Sequence, residues 1–412
     1  MIIVISIDGV CHEDVNFKRL PNLEQLAVNG VYTKRLRVAF PSVTWVNHTS
    51  AMTGKCADGH GVLGGSAYSR SKAQDFGYFE PHLFDINDVP VPTIFEKAYE
   101  KGKTTAAICW PLTQGSSHIH YNIPECYSQD QFDDYSTTAF TQELADNGIE
   151  FCRYADWSTD FRLGPLQDDL TCRITKYLIE KKQVDLLFTH FLIHDSYQHV
   201  YGIRSPESEW ALRYADSLVG SIISSLKEAG LFEHSSIIVT SDHGHEAIFK
   251  FFDLTSFLKQ QGIPEGAFHC VNNGGAVILY SMQNQISESR FTGLCATLES
   301  HEAVEFAFTK WDEAMLGKLG VSPKPSPDTF PDIVIALSHG WYLDHQQIVR
   351  GHDDWLASHP RTQKGSHGYW PETHPRMDSF MIRAGTDFPK GVLEDAGHIC
   401  DLHGILDKLL DV

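Results

Sequence analysis

Asp8, Asp195, His199, Asp242, His243 and His367 are the side chains of this sequence whose types and settings suit chemistry. Asp8 and Gly9 end the apolar run Ile2–Ile7, which only Ser6 interrupts. Asp195 ends the run Val184–Ile193 and stands four residues before His199. Asp242 and His243 follow Ile237, Ile238 and Val239. His367 lies in Gly365-Ser-His-Gly368, a context that permits a tight turn able to aim the imidazole inward. Imidazoles and carboxylates are the ligands that zinc and similar divalent ions take. Hydrolytic sites with two such ions hold them about 3.5–4 Å apart, clamping the attacking and leaving oxygens. One aspartate after an apolar run is an accident of composition, whereas three, two of them with a histidine in reach, argue for a site.

The elements that must position these groups follow from the same runs. Short, β-branched and unalternated, they read as parallel strands covered on both faces, and open α/β sheets place their ligands outside the carboxyl ends of such strands. Helices are expected over Pro21–Gly30, over Pro92–Lys101 and from Asn47 to Thr53, the last with its N-terminus facing Thr44. Ser205-Pro206 starts the clearest helix, with Leu212, Ala215, Val219, Ile222 and Leu226 on one stripe and Gly230 as its stop. It makes a βαβ crossover joining Asp195 to Asp242. Strands are expected over Thr104–Cys109, within Asn272–Tyr280 after a turn, and over Asp332–Leu337; a helix is expected over Gly397–Leu410. The fold class is α/β, a mostly parallel central sheet with helices on both faces, in one catalytic domain over residues 1–412. Residues 111–169 read as a loop-rich excursion over the site, and 287–331 as a small inserted cap.

A chain of 412 residues with 42% hydrophobic side chains can bury a large core. Its formal charge of −20, with no run of lysines or arginines, opposes binding to nucleic-acid polymers and to anionic membranes. An anionic substrate therefore needs metal cations to hold it. The nine cysteines are scattered, odd in number and without a Cys-x-x-Cys pair, so neither a disulfide framework nor a thiolate zinc site is expected. With no basic leader at the first residues and no stretch of about 20 apolar residues, the expected setting is cytoplasmic, with no membrane partner.

The order of motifs resembles the alkaline phosphatase superfamily, and within it the nucleotide pyrophosphatase/phosphodiesterase branch. The residues that carry the resemblance are Ser6-Ile-Asp-Gly9, Pro41-Ser-Val-Thr-Trp-Val-Asn-His48, Thr53-Gly54, His60-Gly61, Trp110-Pro111, Asp195-Ser-Tyr-Gln-His199, Thr240-Ser-Asp-His-Gly244 and Gly365-Ser-His-Gly368. The resemblance implies an alkaline-phosphatase-like three-layer sandwich and two divalent ions, zinc or else manganese. Asp8, Thr44, Asp242 and His243 would hold one ion, and Asp195, His199 and His367 the other. It implies Thr44 as nucleophile, a phosphothreonine intermediate, and hydrolysis of phosphodiester or pyrophosphate bonds in a small, nucleotide-like phosphorylated substrate. Asn47 would support the nucleophile loop, and Trp45 and Trp110 would line the pocket.

Two departures bear on the substrate. Where the branch has an asparagine donating to a phosphate oxygen, this chain reads Gly64-Gly65-Ser66, so Ser66 or the Thr44 backbone N–H must take over; Gln198 stands where a glycine precedes the histidine. The alternative reading is a phosphomonoesterase or a phosphonoacetate-type hydrolase of the same superfamily. The other histidines near motifs or glycines, His352 and His359 included, read as structural or surface residues; His194 and His245, which adjoin expected ligands, are the best outsiders among them.

Overall fold

In the computed structural model the described residues are 1–77, 86–151, 153–154, 157, 160–282, 287–344 and 363–411; His352 and His359 lie outside them. The strands that carry the architecture are, in chain order, β1 (Ile2–Ile7), β2 (Gly30–Arg37), β3 (Thr105–Trp110), β4 (Tyr121–Pro124), β5 (Leu186–Phe191), β6 (Ser236–Thr240), β7 (Phe268–Asn273), β8 (Ala276–Ser281), β9 (Val304–Thr309), β10 (Ile333–Leu337), β11 (Ser379–Ala384) and β12 (Val392–His398). Eight of them form the central sheet in the order β12-β2-β11-β6-β1-β5-β3-β4. All run one way except β11, which is antiparallel to both neighbours.

Every residue of β1 is buried, and its two faces meet different cores. Ile3, Ile5 and Ile7 pack with Leu23 and Leu26 of helix α1 (Pro21–Val28). Ile2 and Val4 pack on the other side with Ala51 and Met52 of helix α2 (Thr44–Thr53). The sheet is thus covered on both faces, as the unalternated apolar runs require. Each fully buried Ile contributes about 1.5–3 kcal/mol of transfer free energy, which fixes these strands in the centre.

Three more helices bear on the site. Helix α3 (Ile193–Tyr201) follows β5 directly; α4 (Pro206–Glu228) begins with the Ser205 hydroxyl accepting from Ser208 N; α5 (Asp401–Leu410) covers the α2 face. The α5 helix starts later than expected because residues 392–398 form edge strand β12. No helix among the described residues is long and apolar enough to cross a membrane.

Both stretches set apart in the sequence carry regular elements. Residues 111–169 contain β4 and helices Gln129–Tyr135 and Thr138–Asp146, whose short lengths hide their periodicity. Within 287–331, β9 pairs with β10 in a second sheet ordered β7-β8-β10-β9. That sheet begins at Phe268, and the hairpin of β7 and β8 turns at Gly274-Gly275.

Candidate active site

The register of β6, β1 and β5 brings the expected ligands together. Ser6 lies opposite Thr240 and Ile7 opposite Phe191, so three parallel neighbours end level with one another. Asp8 leaves β1, Asp242 and His243 leave β6, and Asp195 lies in the first turn of α3 with His199 one turn on. Asp168, from the neighbouring helix Gly164–Tyr177, accepts from Leu192 N at 2.9 Å and Ile193 N at 3.1 Å, holding the start of α3.

Thr44 is the first residue of α2 and almost fully buried. Its Oγ1 stands 3.2 Å from His243 Nε2. The same Nε2 is 3.6 Å from Asp8 Oδ1 and 3.1 Å from Asp242 Oδ2. The turn before Thr44 is held from both sides: Asn47 Oδ1 accepts from Ala39 N at 2.7 Å, and Ser42 Oγ donates to Tyr369 O at 2.6 Å. His48 is within 2.9 Å of Thr44 O through Nδ1 and within 3.0 Å of Ser6 Oγ through Nε2, so its ring bridges α2 to β1. Gly244 lets this strand end close up, since a Cβ there would stand 2.0 Å from Arg376 O.

The second group is Asp195, His199, His245 and His367, whose ligand atoms all lie within 4.8 Å of one another. His199 Nδ1 meets Gly365 O at 2.9 Å, an arrangement that leaves Nε2 facing Asp195. His367 is brought in by the short pairing of Gly365–Ser366 with Glu246–Ala247. The hairpin turn of the second sheet clamps its backbone: Gly275 N donates to His367 O at 2.7 Å, and a Cβ at Gly274 would stand 2.1 Å from that oxygen. Gly274 also has φ +73°, a conformation glycine adopts freely.

The donor chemistry fits divalent cations. Asp8 Oδ1 and Asp242 Oδ2 are buried without a hydrogen-bond partner, as are Nδ1 of His367 and Nδ1 of His245. Burial, then the charges of Asp242 and Asp195, push the Asp8 carboxyl well above the usual range. Carboxylates this close repel, and cations between them relieve that repulsion. Burial also acts to raise Asp195, but the charges of His199 and then His245 outweigh it and hold this carboxyl well below its ordinary value. Burial opposes protonation of His199 too, yet Asp195 raises it; burial drives His367 well down, favouring the neutral imidazole that ligates.

Two residues of this neighbourhood carried no expectation as site residues. His245 Nε2 lies 2.5 Å from Asp195 Oδ1, and its place directly after Gly244 was the one signal for it. His194, the other histidine beside a ligand, turns away, with Nδ1 3.0 Å from Ser208 O. Glu125, one residue beyond β4, is buried, and that burial, with the charges of Asp242 and Asp195 adding to it against the Tyr127 hydroxyl, pushes its acid up to about 8. Tyr127 Oη donates to it at 2.7 Å.

The expected substrate-side residues sit differently. Trp110 is wholly buried against Phe188, His48 and His190, so its indole has no face to offer a base. It is the last residue of β3. Trp45 is only 2% exposed, packed with Val43, Val62 and Leu112. Asn47 is engaged by the backbone it supports. Gly64 packs on the Asn273 side chain, leaving no room there for a Cβ, and after Gly65 the Ser66 N–H donates to Asn273 Oδ1 at 3.0 Å, so that donor is already engaged.

A model of the type I phosphodiesterase / nucleotide pyrophosphatase family matches residues 2–370. An uncharacterised pyrophosphatase/phosphodiesterase of Schizosaccharomyces pombe is 23% identical over 433 residues, taking in 100% of this chain and 77% of that one. The human bis(5'-adenosyl)-triphosphatase ENPP4 is 24% identical over 251 residues, taking in 59% of this chain and 47% of that one. Among solved structures, an inactive variant of murine ectonucleotide pyrophosphatase/phosphodiesterase 5 in complex with AMP superposes with TM-score 0.72 at 20% identity, covering 100% of this chain and 95% of that one. With the family match running from β1 through His367, across the strand ends where these carboxylates and imidazoles gather, the chain belongs to the type I phosphodiesterase / nucleotide pyrophosphatase family of hydrolases, in the alkaline phosphatase superfamily.

Proposed function

We propose that this protein is a metal-dependent hydrolase of phosphodiester or pyrophosphate bonds in small nucleotide-like substrates, with Thr44 as its nucleophile. The observation that carries this reading is the Thr44 hydroxyl 3.2 Å from His243 Nε2, at a helix start and beside two buried carboxylate oxygens without partners. Asp8, Thr44, Asp242 and His243 would hold one divalent ion, and Asp195, His199 and His367 the other. The ligands favour zinc, with manganese as the second choice, because they mix imidazole and carboxylate without thiolate. Bound there, such ions supply a lowered hydroxyl pKa at the nucleophile and charge neutralisation at the leaving oxygen.

The chain's own groups do the rest. The start of α2 presents backbone N–H groups and the positive end of its dipole to a phosphoryl group, and the Thr44 N–H is the donor best placed to replace the absent asparagine. Asn47 and Ser42 keep the Thr44 turn rigid, so the hydroxyl approaches phosphorus in a fixed geometry. Thr44 Oγ1 bonds to phosphorus as the leaving oxygen departs; water then cleaves the phosphothreonine and restores the hydroxyl. The murine structural neighbour holds AMP, and a ligand of that size and charge is the class proposed here.

A second reading, a phosphomonoesterase or phosphonoacetate-type hydrolase, draws on one observation. Trp45 and Trp110 are buried, so the apolar wall expected for a second ester substituent is not theirs to provide. Kinetics on bis-p-nitrophenyl phosphate, p-nitrophenyl thymidine monophosphate, p-nitrophenyl phosphate and phosphonoacetate separate the readings. The diester reading expects the larger kcat/KM on at least one diester; a larger value on the monoester or the phosphonate than on both diesters replaces it with the second.

A further inference from the structure

Away from the strand ends, Cys56, His398 and Cys400 converge, with one ligand atom from each lying within 4.8 Å of the others. The two sulfurs are 3.5 Å apart although 344 residues separate them in the chain. We infer that these three residues form a second kind of metal site, a Cys2His site for a thiophilic divalent cation, zinc by its ligand set, with water in the fourth position.

The geometry and the surroundings support it together. Zinc holds thiolate sulfur at about 2.3 Å, so two sulfurs on one tetrahedral ion stand about 3.8 Å apart, a few tenths of an ångström from the spacing found here. The imidazole sits against the backbone of its cysteine neighbour: Cys400 N donates to His398 Nδ1 at 3.2 Å, which keeps the ring proton on Nε2 in the metal-free protein, so ligation through Nε2 moves that proton to Nδ1 and exchanges this hydrogen bond for the metal bond. The backbone around it is pinned as well: Asp401 Oδ2 accepts from His398 N at 2.7 Å, and Ile399 N donates to Arg37 O at 2.8 Å. Gly320 closes one side, since a Cβ there would meet Cys56 Cβ at 3.3 Å. All three ligands are partly buried, so water reaches the fourth position. A disulfide alone would require the sulfurs to close to about 2.05 Å and would leave the imidazole without a role. Binding displaces two thiol protons and leaves two thiolates on the ion.

The position gives the site a purpose. Cys56 follows α2 by a few residues, while His398 ends β12 and Cys400 precedes α5. One ion would tie the C-terminal end of the helix that begins with Thr44 to the last strand and helix of the described chain. A helix of this length spans about 15 Å, so the clip acts at the far end of α2 from the chemistry.

Cobalt loading tests this, because a thiolate bound to Co(II) gives an intense near-ultraviolet charge-transfer band and carboxylate or imidazole ligands do not. The full-length wild type should show the band and bind one more equivalent of zinc than Cys56→Ser, Cys400→Ser or His398→Ala. Asp195→Asn should lower the metal count yet keep the band, which separates this site from the Asp/His groups. Circular dichroism identifies any variant that fails to fold, and the wild-type band together with His398→Ala then decides alone. The inference is overturned if wild type shows no such band, or if all folded variants bind equal zinc. It is also overturned if peptide mapping without reductant finds a Cys56–Cys400 disulfide and the reduced protein takes up no additional ion.

Discussion

Thr44 Oγ1 and His243 Nε2 stand 3.2 Å apart, although 199 residues separate them in the chain. The contact exists because β1 and β6 are parallel neighbours ending level, and because the start of α2 is held over those ends by Asn47, Ser42 and His48. A hydroxyl, an imidazole and two partnerless carboxylate oxygens in one buried place are the ingredients of an activated nucleophile.

Thr44→Ala should therefore lower kcat by at least about three orders of magnitude, as expected for removal of a nucleophile. Thr44→Ser should retain part of the rate, since it keeps the hydroxyl. Metal content should change little in either variant. Steady-state kinetics with metal analysis on the same samples checks this, and near wild-type turnover by Thr44→Ala would shift the attack to water.

Metal removal should abolish turnover. The Cys56→Ser/Cys400→Ser protein, which lacks the thiolates, is the form in which to count the Asp/His ions: two per chain are expected after purification without chelator. Dialysis against excess chelator should eliminate activity, and zinc or manganese should restore it. Full activity in excess chelator would contradict the reading.

His245 should act on Asp195. Its Nε2 lies 2.5 Å from Asp195 Oδ1, so it orients or charges that carboxylate. Loss of such a supporting partner typically costs 10–100-fold in metal affinity. A chelator-competition titration of His245→Ala against wild type should show a drop in about that range, with His245→Gln recovering part of it.

The hairpin of the second sheet should matter to the site through Gly274. A methyl there would stand 2.1 Å from His367 O, and φ +73° adds about 1–2 kcal/mol of strain for a residue with a Cβ. Gly230 is the control, with φ +70° and nothing within 4 Å of the added methyl. Gly230→Ala should melt somewhat earlier and keep its metal affinity; Gly274→Ala should melt earlier still and lose metal more readily to a chelator.

The central strands and the aspartates and histidines at their ends were legible because the two coincide. A strand buried on both faces is a bare apolar run, as in Ile2–Ile7, and the residue after it falls at the sheet's edge. Helix α4 was legible from Ser205, Pro206 and its stripe. Strands β2 and β12 were not, since both carry charged residues such as Lys34, Arg35, Glu394 and Asp395, and they lie toward one edge of the sheet. Glu125 reaches the site only by tertiary placement after edge strand β4. The resemblance placed Trp110 in the pocket lining, and its position in β3 turns the ring onto Phe188. Cys56 and Cys400 meet only in the folded chain, and no search of local spacing finds such a pair.

The most direct test of the account is to trap the intermediate. Enzyme mixed with excess bis-p-nitrophenyl phosphate and quenched in acid within the first turnovers should carry a p-nitrophenyl phosphoryl adduct, one p-nitrophenolate having left, located by mass spectrometry of the proteolytic peptides. The account predicts the adduct on Thr44 and its absence from Thr44→Ala. An adduct on another residue, or turnover with none trapped together with inversion at phosphorus on a chiral thiophosphate substrate, would contradict it.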